Sequence, residues 1–399
     1  MIIGFIIPLV LGVLAGTFTG LAPGIHINLV ATLSIALLAS APSSLAIPLV
    51  IFIVAMSITH TFIDFIPSIF LGAPEEDTFL SILPGHQLLN EGKGYRALIL
   101  TLYGSIFAIP VVIVFTPLFT TFLPIVYPVI KQFMPFILLF LSCYLILRAE
   151  FKIPSLIVFI LSGVLGALTF NLPVREPLMP LLSGLFGISS LIFSMKNSPS
   201  LTKQEIQPLG EIKLSKTEFA KASSASIISA PFCSILPGIG SGHAATIGAE
   251  IVEQTRESFL FLVGSINTII MGLSFITVYS ISKARSGTAA AVQEVLGKIS
   301  ETNLYLILLS IILSGIIAFF IGIFFAKVFT KFMNKINYRT VTLGVILIVV
   351  SLNIIFTNLL GLLVLATSTF LGLYTLHSDS KRIQMMGCLI VPSIVYYLF

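Results

Sequence analysis

The sequence predicts an all-α polytopic membrane protein of about 10–12 transmembrane and re-entrant helices, in two structural repeats with broken helices. Three observations carry this. Of 399 residues, 57% are hydrophobic and 9% are charged, against roughly 25% charged in a soluble domain. Mean hydropathy is +1.10, and apolar runs long enough for a ~30 Å hydrocarbon core recur along the whole length. A short interrupted motif also occurs twice.

Apolar blocks fall at about 2–22, 25–40, 45–71, 97–121, 123–147, 153–170 and 177–194. They resume at about 222–236, 239–251, 258–282, 303–333, 339–359, 360–376 and 383–398. The opening MIIGFIIPLVLG has neither a basic stretch nor a small-residue cleavage site. It is expected to be a first membrane helix and not a removable signal. The longest polar interval, 195–221, holds Lys196, Lys203, Lys213, Lys216 and Lys221 against Glu205, Glu211 and Glu218. By the positive-inside rule it is expected to be a cytoplasmic basic linker. It separates an N-terminal membrane repeat (1–194) from a C-terminal one (222–399). Lys327, Lys331, Lys335 and Arg339 mark a second cytoplasmic candidate.

The charge balance of +5 reports orientation and anionic lipid headgroups; it does not imply nucleic acid. Cys143, Cys233 and Cys388 sit in apolar segments without CxxC spacing. They read as small core residues, so neither a disulfide framework nor a metal site is expected.

GLAPGIHINLVATL (20–33) aligns without a gap on SILPGIGSGHAATI (234–247). Pro23 and Gly24 fall on Pro237 and Gly238, and Ala31 and Thr32 on Ala245 and Thr246. A second small-residue interruption follows each copy, LGAPEEDTFLSILPG (71–85) and SKARSGTAAAVQEVLG (282–297), alignable through Thr78 and Thr288. Pro inside a helix removes a backbone hydrogen bond and clashes with the preceding turn, costing ~3 kcal/mol or more. In hydrocarbon such a break is tolerated only where protein packs around it or it lines an aqueous cavity. Paired breaks in matching halves point to a transporter site, because each following helix presents N–H groups and partial positive charge to an anion. The candidate substrate-binding residues are therefore Pro23, Gly24, His26 and Asn28 in one half, and Pro237, Gly238, Gly240, Ser241, Gly242 and His243 in the other.

Asp64 lies deep in an apolar run with His60 one turn earlier. An intramembrane carboxylate is costly and is a functional candidate by default. The pair reads either as the coupling site for Na⁺ or H⁺ or as an interfacial ion pair. Lys283 and Arg285 read either as holders of an anionic headgroup or as snorkelling residues at the interface. Glu250 reads either as a solvated helix end leading into EQTRES or as an ion-coordinating carboxylate, the first being favoured. No H-E-x-x-H or G-x-S-x-G motif supports an intramembrane enzyme, and Glu75-Glu76 lacks the Arg that a prenyl-protease motif requires. No cofactor is expected beyond a coupling Na⁺ or H⁺.

GLAPGIHINLVATL, PSIFLGAPEEDTF, PGHQLLNEGKGYRAL and SILPGIGSGHAATIGAE together resemble the large membrane subunit of the tripartite tricarboxylate transporters, the TctA-like family, in its compact archaeal-type branch. The resemblance covers motifs at 12–98 and 230–298. It implies an ion-coupled secondary permease (not an enzyme) for a small organic anion, a carboxylate, working by alternating access in a multi-pass plasma-membrane location. It also implies an extracytoplasmic binding protein and a small membrane subunit as partners beside the membrane lipids. A homodimer is an open alternative. The family's loop motif falls on Gly72, Ala73 and Pro74, which join the substrate-binding candidates. Two departures stand out: Glu75, Glu76 and Asp77 replace small and hydroxyl residues, and Pro84-Gly85-His86-Gln87 replaces Asp-Gly-Tyr-Pro. The alternatives are a translocase for a phosphorylated lipid carrier, an intramembrane enzyme and a non-transporting scaffold.

Overall fold

The computed structural model describes residues 2–23, 25, 27–38, 43–73, 77–196, 202–333 and 338–398. All regular structure among them is helical, and nine helices are long and apolar enough to span a bilayer.

The first half comprises α1 (Ile2–Leu21), α2 (Ile27–Leu38), α3 (Ala46–Ile63), α4 (Phe65–Leu71), α5 (Ile82–Asn90) and α6 (Gly94–Gln132). Then come α7 (Met134–Leu147), α8 (Lys152–Asn171), α9 (Leu178–Leu182) and α10 (Ser189–Lys196), the last two joined by a π-helical turn. The second half opens with α11 (Lys216–Ser234), α12 (Ser241–Ile251), α13 (Arg256–Ile281), α14 (Gly287–Leu296) and α15 (Glu301–Met333). It closes with α16 (Tyr338–Phe356), α17 (Leu359–His377) and α18 (Gly387–Leu398).

One expectation is corrected: the apolar blocks at 97–121 and 123–147 do not part at residue 122. Helix α6 runs on through Pro110, Pro117, Pro124 and Pro128 to Gln132. Three of these prolines recur at sevenfold spacing and so share one side of the helix. Membrane helices tolerate them where neighbours and local adjustments satisfy the freed carbonyls.

Small residues set the packing, as expected where helices associate by close approach and not by water exclusion. A Cβ on Gly12 would lie 2.8 Å from that of Ala55, and one on Gly20 2.8 Å from that of Ile63, so α1 and α3 run parallel. Gly264 abuts the Thr101 carbonyl and Gly272 abuts Val112, so α6 and α13 also run parallel. Gly322 packs on Leu102 and Gly315 on Ile109, which makes α15 antiparallel to α6. Phe62 lies by Gly315 and Phe70 by Phe329, so α3 follows α15 and opposes α13. Helix α13 is central, with 94% of its apolar window buried. Large apolar side chains of α8, α15 and α17, such as Ile153, Phe320 and Phe370, face outward as a lipid-facing surface requires.

The chain between α10 and α11 clamps one end of the bundle. The Gln204 carboxamide accepts from the Gly94 N–H at 2.9 Å and donates to the Leu89 carbonyl at 2.7 Å. Arg96 grips Glu257 at 2.7 Å, and Arg256 grips Glu91 at 2.8 Å. These contacts define the linker end of the bundle.

Candidate functional site

Each interrupted segment ends at a half-helix whose N-terminus lies in the interior. Helix α11 rises from the linker end, the chain breaks at Pro237-Gly238, and α12 turns back, with Gly248 against Ser229. Gly238 has φ +71°, a left-handed conformation that favours glycine. In the other half α1 is followed by the break and then α2. The half-helices pair across the halves. Asn28 at the start of α2 touches Gly287 at the start of α14, while Gly242 at the start of α12 touches Phe79, just before α5.

A cavity of about 460 Å³ lies at this junction. Asn28, Asp77, Pro237, Gly238, Gly240, Arg285 and Ser286 line it, with Ser274 and Tyr397. Ser286 caps α14, accepting from the Ala289 N–H at 3.1 Å. The Arg285 guanidinium donates to the Ile239 carbonyl in the second break. Lys283 donates to the Tyr397 hydroxyl and lies 5.3 Å from the centroid of the Tyr127 ring, a cation–π arrangement. Asp77 sits on α12: one carboxylate oxygen accepts from the Ser241 N–H at 3.2 Å and from Ser241 Oγ at 2.7 Å.

A second cavity, about 730 Å³, opens at the linker end, lined by Phe79, His86, Thr246, Arg256, Asp379, Lys381 and Arg382 among others. Phe79 lines this second cavity, and Asp77, two residues earlier, lines the first. Phe79 packs on Phe186 with ring centroids 4.9 Å apart, and a Cβ on Gly242 would come within 2.6 Å of the Phe79 ring.

Asn28, Pro237, Gly238 and Gly240 thus line one cavity, with Ser241 bonded to Asp77 at its edge. His243, one turn into α12, is buried and its Nδ1 has no hydrogen-bond partner. Pro23 lies half-buried in the first break. Gly72, with φ +65°, and Ala73 terminate α4 and do not line the cavity. Gly24, His26, Pro74, Glu75 and Glu76 lie outside the described residues. His60 and Asp64 are elsewhere, between α1, α3 and α13. Asp64 accepts from Asn267 Nδ2 at 2.9 Å and lies 3.9 Å from His60 Nε2, whose ring bonds Thr19 at 3.1 Å. Ser68 joins this cluster to the loop, bonding the Asp64 carbonyl at 2.8 Å and Thr78 at 2.6 Å. Glu250, at the end of α12, pairs with Arg148 at 2.5 Å. Among the described residues no group of three or more His, Cys, Asp or Glu side chains is placed to hold a metal.

Sequence reasoning left Arg285 between two readings and did not find Asp77 as the partner of Ser241. Position 77 is charged in a loop of charges, and nothing in its sequence neighbourhood names a contact more than a hundred residues away.

Fold and cavity together define a polytopic helical membrane protein with a chamber lined by apolar side chains and by Asn28, Asp77, Arg285 and Ser286. The sequence model of the Tripartite tricarboxylate transporter TctA family matches residues 6–387, and the chain belongs to that family. It is also similar to an uncharacterized protein of Methanocaldococcus jannaschii, with 33% identity over 405 residues, 98% of each chain. No solved structure matches it.

Proposed function

We propose that the protein is a permease that carries a small organic anion, a carboxylate, by ion-coupled alternating access. The observation that carries this reading is the convergence on one 460 Å³ cavity of half-helix N-termini from both halves, with Arg285 between them. Backbone N–H groups and partial positive charge at such termini suit an anion, and a guanidinium adds bidentate recognition of a carboxylate. The halves read as inverted repeats: α1 and α3 run toward the linker end while α11 and α13 run away from it, supported by the Gly12–Ala55, Phe70–Phe329 and Arg96–Glu257 pairings. Lys93, Lys203 and Lys213 belong to the linker-end contacts through Glu91, Gly92 and Arg96, and Lys381 lines the cavity there, which supports a cytoplasmic placement. The cavity of the breaks then faces the opposite, outer side, and the Phe79–Phe186 pair is the closed inner gate. Asp64, held by Asn267 and His60 beside the loop that carries Asp77, is the coupling carboxylate, binding Na⁺ or H⁺. Family membership supports a binding protein and a small membrane subunit as partners.

The test is uptake of labelled citrate and malate by proteoliposomes holding the purified chain, with and without the two partner subunits. Arg285→Gln abolishes uptake with the protein still folded. Uptake equal to wild type in that variant removes the site assignment.

A further inference from the structure

The linker-end cavity carries chemistry that the central chamber does not use. Its lining holds three cationic side chains, Arg256, Lys381 and Arg382, against one carboxylate, Asp379. Arg256 is satisfied by Glu91 at 2.8 Å. Arg382 is not: among the described residues it makes no ion pair, and its Nη1 is buried without a hydrogen-bond partner. An uncompensated guanidinium in a partly desolvated place is costly, so native structures pair it or give it a ligand. Its position is fixed. Gln384, two residues on, donates to the Leu145 carbonyl of α7 at 3.3 Å, and Ser162 of α8 donates to the Gln384 carbonyl at 3.1 Å.

His86 lies across the same cavity, and its Nε2 is likewise buried and without a partner. It belongs to the Pro84-Gly85-His86-Gln87 stretch. Burial first, and the charge of Arg382 second, hold the imidazole down at about 4. It is therefore neutral at physiological pH and offers hydrogen bonding without adding charge. Thr246 and Gln87 add further polar groups to the wall.

We infer that this cavity is a second anion site, in which Arg382 supplies the charge and His86 a neutral hydrogen-bonding partner for a carboxylate or phosphate oxyanion. Lys381 at the rim draws the anion in, and the Phe79–Phe186 pair keeps the site distinct from the central chamber. In the permease reading, on which this role rests, it is the station the anion occupies between passing the inner gate and leaving.

The test is equilibrium binding of ¹⁴C-citrate and ³²P-phosphate to the purified full-length chain, comparing wild type with Arg382→Gln, Arg382→Lys and Arg285→Gln, each checked for a monodisperse fold. Arg382→Gln is expected to weaken one class of site about tenfold or more, the loss of one charge-assisted hydrogen bond, with partial recovery in Arg382→Lys. Arg285→Gln leaves that class intact. If Arg382→Gln binds both anions as wild type does, or wild type binds neither, the inference is overturned. Loss of all binding in Arg285→Gln alone also overturns it while leaving the central site standing. Loss in Arg382→Gln alone supports it and removes the central site instead.

Discussion

Ser241 donates its backbone N–H at 3.2 Å and its hydroxyl at 2.7 Å to the same carboxylate oxygen of Asp77. The chain's own carboxylate thus holds the N-terminus of α12, the place the proposed ligand would take. It also ties the 235–240 segment to the loop that carries Asp77 and, two residues on, Phe79.

Asp77→Asn keeps an acceptor at this position and removes the like charge. Citrate affinity is expected to rise by at least an order of magnitude, since one unit charge about 4 Å away at an effective dielectric near 20 is worth about 4 kcal/mol, roughly a thousandfold before salt screens it. Asp77→Ala removes the cap as well and is expected to cost about 1 kcal/mol of stability. Binding isotherms and detergent melting curves on the two variants separate these effects. A fall in affinity with Asp77→Asn contradicts the competition between Asp77 and ligand.

The glycines of the break and of the helix contacts should respond differently. Gly238→Ala forces a Cβ into a backbone with φ +71° and to 3.1 Å from the Leu389 carbonyl. A cost of about 1–2 kcal/mol is expected, with the fold retained and uptake impaired. Gly264→Leu inserts a whole side chain against the Thr101 carbonyl between α6 and α13. Overpacking there is expected to cost about 3 kcal/mol or more and to abolish recovery of folded protein. Size-exclusion yield and melting temperature check both.

The cluster between α3 and α13 is expected to carry ion dependence. Asp64→Asn should leave anion binding in place and abolish the dependence of uptake on a Na⁺ or H⁺ gradient, because it removes the buried charge the ion neutralises. Asn267→Ala strips the 2.9 Å hydrogen bond from Asp64 and should lower stability by about 1–3 kcal/mol. Uptake that follows the gradient unchanged in Asp64→Asn removes Asp64 from that role.

Stability should also depend on His86. Its folded-state value of about 4 lies below the ordinary 6.5, so on acidification the unfolded chain takes up the proton first. The contribution is fully present above about pH 6.5 and is lost as pH falls toward 4. His86→Gln should flatten the melting temperature across that window and leave it unchanged at higher pH. A wild-type slope retained in the variant assigns the titration elsewhere.

The helical membrane class was legible because a lipid-facing surface needs apolar residues everywhere, which composition records directly. Helix ends near the two prolines were legible too, since Pro23 and Pro237 cannot donate a backbone hydrogen bond, and α1 ends at Leu21 and α11 at Ser234. Proline alone is ambiguous, however, and α6 crosses four of them without stopping. Asp64 was visible as a charge in an apolar run, but Asn267 as its partner was not, since their meeting depends on α3 and α13 packing antiparallel. The same holds for Asp77 with Ser241 and for Arg285 with Ile239. Each contact joins one interrupted segment to another, and local pattern carries no trace of it.

The most direct test of the central chamber places a single thiol on its wall. Ser393 lines the cavity, and of the native cysteines Cys143 is exposed while Cys233 and Cys388 are buried. In a Cys143→Ser background, Ser393→Cys is treated with a membrane-impermeant maleimide from either side of oriented vesicles, with and without citrate. The account predicts labelling from the side opposite the linker end and protection by citrate, the protection vanishing in Arg285→Gln. Labelling from the linker side alone, or labelling that no di- or tricarboxylate slows, contradicts it.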